Sequence, residues 1–142
     1  MISVVQHDCK DELNDVSLRA TPARVALMNL LEKSDKPLDV QAMIDFLEKK
    51  DIKTDPATVF RIINMFSEKR LVKQIQLNEG KFRYELLAKP DHHHLVCIKC
   101  NNIQDISDCN IFALEKDIQK KKQFKVISHS LEFFGVCKLC QY

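Results

Sequence analysis

Two cysteine pairs, Cys97-Ile98-Lys99-Cys100 and Cys137-Lys138-Leu139-Cys140, limit what this chain can fold into more than any other feature. A two-residue spacer lets both sulfurs of a pair face one ion, and zinc takes four thiolates tetrahedrally. The 36 residues between the pairs are more than a simple zinc ribbon uses, and an intervening helix accounts for the length. The competing reading is a redox pair of the thioredoxin kind. Such a pair opens a helix inside a βαβ unit, whereas Cys97 follows a strand pattern and Cys137 and Cys140 lie among the last six residues. A structural zinc on Cys97, Cys100, Cys137 and Cys140 is therefore expected, with Cys9 and Cys109 as free thiols.

No run approaches the ~20 apolar residues that cross a bilayer. The N-terminal MISVVQHDCKDE has neither a basic stretch nor a long apolar one, so no secretion signal is expected. The expected location is the cytoplasm, where paired cysteines serve metal or redox chemistry rather than disulfides. Residues 1–90 carry 15 Lys/Arg against 14 Asp/Glu, and residues 91–142 carry 7 against 6. Neither half is a basic block, so any nucleic-acid binding has to rest on a local pattern. No catalytic triad, phosphate loop or paired acid and base stands out, and no enzyme is expected.

The first half reads as helices followed by a hairpin. Residues 8–16 are weakly helical. Thr21 caps a helix with Pro22 at its first position and Val25, Met28 and Leu31 on one face. Asp39 caps the next, in which Val40, Met43, Ile44 and Leu47 form the apolar stripe and Leu38 staples against Met43. Asp55-Pro56 opens a fourth helix whose inner stripe is Val59, Ile62, Ile63 and Phe66. Lys73–Leu77 and Phe82–Leu86 alternate about an Asn78-Glu79-Gly80 turn. Helices followed by a β-hairpin are the winged-helix order. Residues 87–91 read as a hinge. Short strands near Leu95–Ile98 and Ile103–Ile106, a helix from Asn110 to Lys122 and a strand from Lys125 to Val136 complete the chain. The expected class is α+β, with a winged helix-turn-helix domain at 1–86 and a small α/β domain at 92–142. A half of that size needs a metal or a partner subunit to bury enough surface.

Asp91-His92-His93-His94 precedes the first cysteine pair. In an extended segment side chains alternate, so His92 and His94 face one way and Asp91 and His93 the other. Glu85, on the polar side of the hairpin, and Asp105 are further oxygen donors. Imidazole and carboxylate together suit iron, manganese or zinc, held more reversibly than by four thiolates. The outer face of the fourth helix carries Ala57, Thr58, Arg61, Asn64 and Met65, and Thr58, Arg61 and Asn64 could reach base edges and phosphates in a DNA major groove. Arg19 and Arg24, which bracket Thr21, could hold phosphates or enter a minor groove, and Lys69, Arg70, Lys73, Lys81 and Arg83 could line the wing. Spacing alone leaves a solvated charged face as an equal reading.

Four segments, in order, resemble the ferric-uptake-regulator (Fur) family along nearly the whole chain. Arg19-Ala-Thr21-Pro-Ala-Arg24 is similar to its RxTxxR segment, and Ala57-Thr58-Val59-Phe60-Arg61 to its ATVYR recognition helix. His92-His93-His94-Leu-Val-Cys97-Ile-Lys-Cys100 is similar to HHxHxxCxxC, and His129-Ser-Leu131 through Gly135-Val-Cys137-Lys-Leu-Cys140 to the closing segment. The resemblance implies a homodimeric repressor that binds a palindromic operator when loaded with metal. It implies a structural zinc on the four paired cysteines and a sensor site of Glu85, His92, His94 and Asp105 for Fe2+, Mn2+ or Zn2+. It implies a third site, used by some members, at Asp91, His93 and His129.

The chain departs from the family pattern at three points. Lys36 stands where a further sensor-site histidine is usual, leaving four ligands or a substitute from His7 or Cys9. Phe112 stands where the third site has an acidic residue. Phe60 replaces a tyrosine and keeps the ring for thymine methyl groups. Glu85 is like iron-responsive members, which favours that type over zinc-, manganese- or peroxide-responsive ones. A zinc-stapled thiol redox protein is the rival of another class.

Overall fold

In a computed structural model the chain is described over residues 8–89, 92–107 and 109–142. It divides into two compact units, Met1–Lys89 and Pro90–Tyr142, so the division falls inside the expected hinge. Pro90 and Asp91 of that hinge lie outside the described residues.

The first unit contains α1 (Cys9–Asp15), α2 (Pro22–Lys33), α3 (Val40–Lys49), α4 (Pro56–Glu68), β1 (Val72–Gln76) and β2 (Phe82–Leu86). Each helix starts where a short polar side chain satisfies an otherwise unpaired backbone N–H. Asp8 accepts from Lys10, Thr21 from Arg24, Asp39 from Ala42 and Asp55 from Thr58. Such caps contribute about 1 kcal/mol each. The inner stripe of α4 is the expected one, with Val59, Ile62, Ile63 and Phe66 all buried. In α2 the buried face is Ala23, Leu27, Met28 and Leu31, with Val25 only half-buried. The stripe is centred on Leu27 and Leu31 instead, and Val25 packs at its edge against the core. Leu38 does not act only as a staple. It exchanges backbone hydrogen bonds with Tyr84, adding a one-residue bridge to the hairpin.

β1 and β2 pair antiparallel with Val72 opposite Leu86 and Gln76 opposite Phe82. Gly80 takes a positive φ in the connecting turn, a conformation open to glycine without steric cost. The alternation fails at two places. Phe82 is exposed, and Glu85, expected on the polar side, is only 2% exposed. Burial of a carboxylate is costly without a counter-charge; Lys73, its cross-strand neighbour, supplies one at 3.1 Å.

The second unit contains β3 (His93–Cys97), β4 (Ile103–Ile106), α5 (Ile111–Lys122) and β5 (Glu132–Gly135), followed by a single 3-10 turn at Lys138–Cys140. The sheet order is β4-β3-β5, with β4 antiparallel and β5 parallel to β3. The closing strand is shorter than the expected Lys125–Val136. β5 keeps register with β3 only from Glu132 to Gly135, and residues 124–130, almost all exposed, run alongside no other strand. No residue of α5 is buried. Phe112, Leu114, Ile118, Phe133 and Phe134 all remain exposed. Among the described residues no helix is long and apolar enough to cross a membrane.

Candidate functional site

The cysteines meet because the sheet and the final 3-10 turn carry them to one point. Cys97 ends β3, and the chain reverses through Asn101, which sits at positive φ, a conformation asparagine tolerates better than most side chains. The sulfurs of Cys97, Cys100, Cys137 and Cys140 lie within 4.8 Å of one another. Cys100 Sγ and Cys137 Sγ are 3.8 Å apart. A tetrahedron built on zinc–sulfur bonds of about 2.3 Å has an edge of about 3.8 Å, so the cavity has the size of a zinc tetrathiolate. The backbone N–H of Cys137 donates to Cys97 Sγ at 3.4 Å, and Lys99 Nζ donates to the Cys140 carbonyl at 3.0 Å, tying one pair to the other.

The electrostatics point the same way. Backbone N–H groups of Cys137 and Cys100 pull the Cys97 thiol down to about 6. Hydrogen bonds from Cys137 and Cys100, with burial, push Cys140 up to about 12. Four crowded thiols cannot all ionise without a cation among them, and a divalent ion removes that conflict. A lowered thiol pKa alone would also fit redox chemistry, but a sulfur surrounded by three others at this spacing is a ligand set.

Cys9 is the contrasting thiol. It lies buried beneath α2, donating to Asn29 Oδ1 at 3.1 Å and Glu32 Oε2 at 3.5 Å. Burial first, and the Glu32 carboxylate second, push it up to about 11. A thiol so occupied and so reluctant to ionise is a core residue. His7, the other substitute, lies outside the described residues. Lys36 is exposed on the loop before α3.

Within the second unit His94 is 2% exposed. Its Nδ1 lies 3.0 Å from Glu132 Oε2 and its Nε2 lies 3.8 Å from Asp105 Oδ1. The longer distance exceeds a hydrogen bond but is within the roughly 4.2 Å that two donors on one ion can span. The His92 ring stands 4.9 Å from that of His94, edge to face, so these two share a side as the alternation requires. The expected set is thus divided by sequence: Glu85 belongs to the first unit, His92, His94 and Asp105 to the second. Glu132 was not foreseen; its sequence signal is a lone carboxylate in the otherwise apolar strand Glu132–Gly135.

At the expected third site, His93 and His129 come together with ring centroids 5.1 Å apart, and Asp91 lies outside the described residues. Phe112 is 66% exposed beneath Lys116. The nearby carboxylate comes instead from Glu115, one turn further along α5, whose Oε1 lies 2.7 Å from His129 Nδ1.

On α4 the face opposite the core presents Ala57, Phe60, Arg61 and Asn64 to solvent, with Phe60 51% exposed. Arg61 folds along the helix, donating to the Ala57 carbonyl at 3.3 Å and to Thr58 Oγ1 at 3.4 Å. Arg24 donates to the Arg19 carbonyl at 3.0 Å, and the Thr21 hydroxyl oxygen is committed to capping α2. The wing is less cationic than its sequence suggested. Arg83 forks onto Glu79 at 2.8 Å, Lys81 pairs with Asp39, and Lys73 pairs with Glu85. Internal acids therefore neutralise three of the five expected wing cations.

These features recur in known proteins. A sequence model described as the ferric uptake regulator family matches residues 15–134. The ferric uptake regulation protein of Neisseria gonorrhoeae is 30% identical over 132 residues, covering 92% of this chain and 91% of that protein. A Helicobacter pylori ferric uptake regulator structure, described as having three functional metal binding sites, superimposes with TM-score 0.81 at 27% identity. It covers 94% of this chain and 89% of that one. A Campylobacter jejuni peroxide stress regulator superimposes with TM-score 0.72 at 25% identity, covering 92% and 95%.

Proposed function

The chain belongs to the ferric uptake regulator family of metal-responsive, dimeric DNA-binding regulators, and from that membership we propose that it is an iron-responsive repressor of metal-homeostasis genes. The observation that carries the reading is the presence of two unlike donor sets. Four sulfurs with the spacing of a zinc tetrathiolate suit a permanent ion. His94, buried between Asp105 and Glu132, suits one that exchanges.

In this reading Cys97, Cys100, Cys137 and Cys140 hold zinc and give the second unit the core it otherwise lacks. Glu85, His92, His94 and Asp105 hold the sensed ion, which supplies two positive charges to a group of carboxylates and imidazoles. In this reading the domain boundaries stand at 1–86, 87–91 and 92–142. The exposed Phe112, Leu114, Ile118, Phe133 and Phe134 are covered by the second copy. Two copies then present α4 to half-sites of a palindromic operator, about 34 Å apart. Ala57, Thr58, Phe60, Arg61 and Asn64 read bases there, while Arg19, Thr21 and Arg24 hold phosphates. Metal and operator raise each other's affinity, by about 1–3 kcal/mol in typical linked systems.

Operator binding by the zinc-only protein, titrated separately with iron(II), manganese(II) and zinc(II), tests this. Iron(II) is expected to promote binding, and His94→Ala to abolish the response while one tight zinc per chain stays. Three superimposable curves, or loss of the tight zinc in His94→Ala, would refute the assignment.

A further inference from the structure

Three histidines of the second unit have a ring nitrogen against an oxygen that can only accept. His93 Nδ1 faces the Leu131 carbonyl at 3.2 Å, His94 Nδ1 faces Glu132 Oε2 at 3.0 Å, and His129 Nδ1 faces Glu115 Oε1 at 2.7 Å. A carbonyl or an ionised carboxylate has no proton to give, so in each case Nδ1 carries the hydrogen. When the ring is neutral its lone pair is then on Nε2. Free imidazole side chains favour the opposite form, so the neighbouring acceptor selects the tautomer.

Two of the three acceptors are consecutive residues leading into and opening β5. Parallel pairing sets Glu132 opposite His94, and the register that brings its carboxylate to one ring brings the Leu131 carbonyl to the ring before it. We propose that β5 is a tautomer template and that Glu132 is the positioning residue for the sensor histidine His94. It holds the Nδ1 proton and turns the Nε2 lone pair toward Asp105, without itself contacting the ion. The proposal rests on the reading of His94 as a sensor ligand. A carboxylate behind a ligating imidazole fixes the ring and raises its basicity, and its removal from such a position typically weakens metal binding about 10- to 100-fold. The carbonyl behind His93 lacks the negative charge, so of these two adjacent histidines only His94 gains an anionic partner from β5.

Cobalt(II) titration of the zinc-only full-length protein, followed by its visible absorption, tests this together with nitrogen-15 spectra of the histidines before cobalt is added. Glu132→Ala should weaken cobalt binding about 10- to 100-fold, move His94 toward the Nε2–H tautomer and leave one zinc per chain. Glu132→Gln, which keeps an accepting oxygen but no charge, should fold as the parent does and lose less. Cobalt binding within about threefold of the parent in both variants overturns the proposal, as does an unchanged Nδ1–H signal. Loss in Glu132→Gln as deep as in His94→Ala, with a changed cobalt spectrum, makes Glu132 a ligand and also overturns it. If His94→Ala itself binds cobalt normally, the sensor reading fails rather than the template.

Discussion

In the first unit, α1 to α4 and the hairpin close around Leu13, Leu27, Met28, Leu31, Met43, Leu47, Ile63 and Phe66, all essentially inaccessible. In the second, the buried apolar residues among those described are Val96, Cys97 and Ile103, and the other buried side chains are His93 and His94. One unit is held by packed hydrocarbon, while the other buries little besides two histidines and residues beside its cysteine cluster. The difference assigns the tasks. A hydrocarbon core is indifferent to solution metal and suits a rigid DNA reader, whereas a unit built from ligands makes its own folding depend on metal.

The strongest way to break this contrast is to remove the zinc. Chelation, or Cys137→Ser, should unfold residues 92–142 and leave the first unit intact, since structural zinc sites contribute on the order of 10 kcal/mol. Residue-resolved amide spectra would check it, and loss of both units together would mean that they share one core. The converse is Phe66→Ala, which should cost the first unit about 3–5 kcal/mol in denaturant unfolding while zinc content stays at one per chain. Smaller still is Arg61→Ala. It should weaken operator binding by about 1–3 kcal/mol per lost base contact and leave stability within about 0.5 kcal/mol; equal binding to the operator would remove α4 from the interface.

The smallest effect is electrostatic. Arg83, by hydrogen bond and charge, holds Glu79 below its ordinary value of 4.5. A carboxyl lowered on folding stabilises the native state above its unfolded pKa, and the contribution fades as pH falls through the lower folded one. Glu79→Gln should therefore cost less than about 1 kcal/mol at neutral pH, and the gap should close in acid below 4.5 while zinc loss dominates the second unit. A gap that widens in acid would show the sign to be wrong.

What the sequence disclosed was local. Caps at Thr21, Asp39 and Asp55, the stripe of α4 and the two CxxC spacings each depend on residues a few positions apart, and each was legible. The burial of Glu85 was not, because it depends on Lys73 across the hairpin. Nor was Glu132, which meets His94 across 38 positions of chain. The start of the last strand was placed too early, at Lys125, because only from Glu132 does β3 offer it a partner. The contact of Glu115 with His129 was equally out of reach, since it joins a helix to a segment 14 positions away.

The exposure of α5 has a last consequence. A 12-residue helix with no buried position gains little packing energy within its own chain, and in the dimeric reading proposed above its order carries a mass-action term. Each tenfold dilution takes about 1.4 kcal/mol from such an assembly. In that reading the abundance of the polypeptide enters its own folding equilibrium.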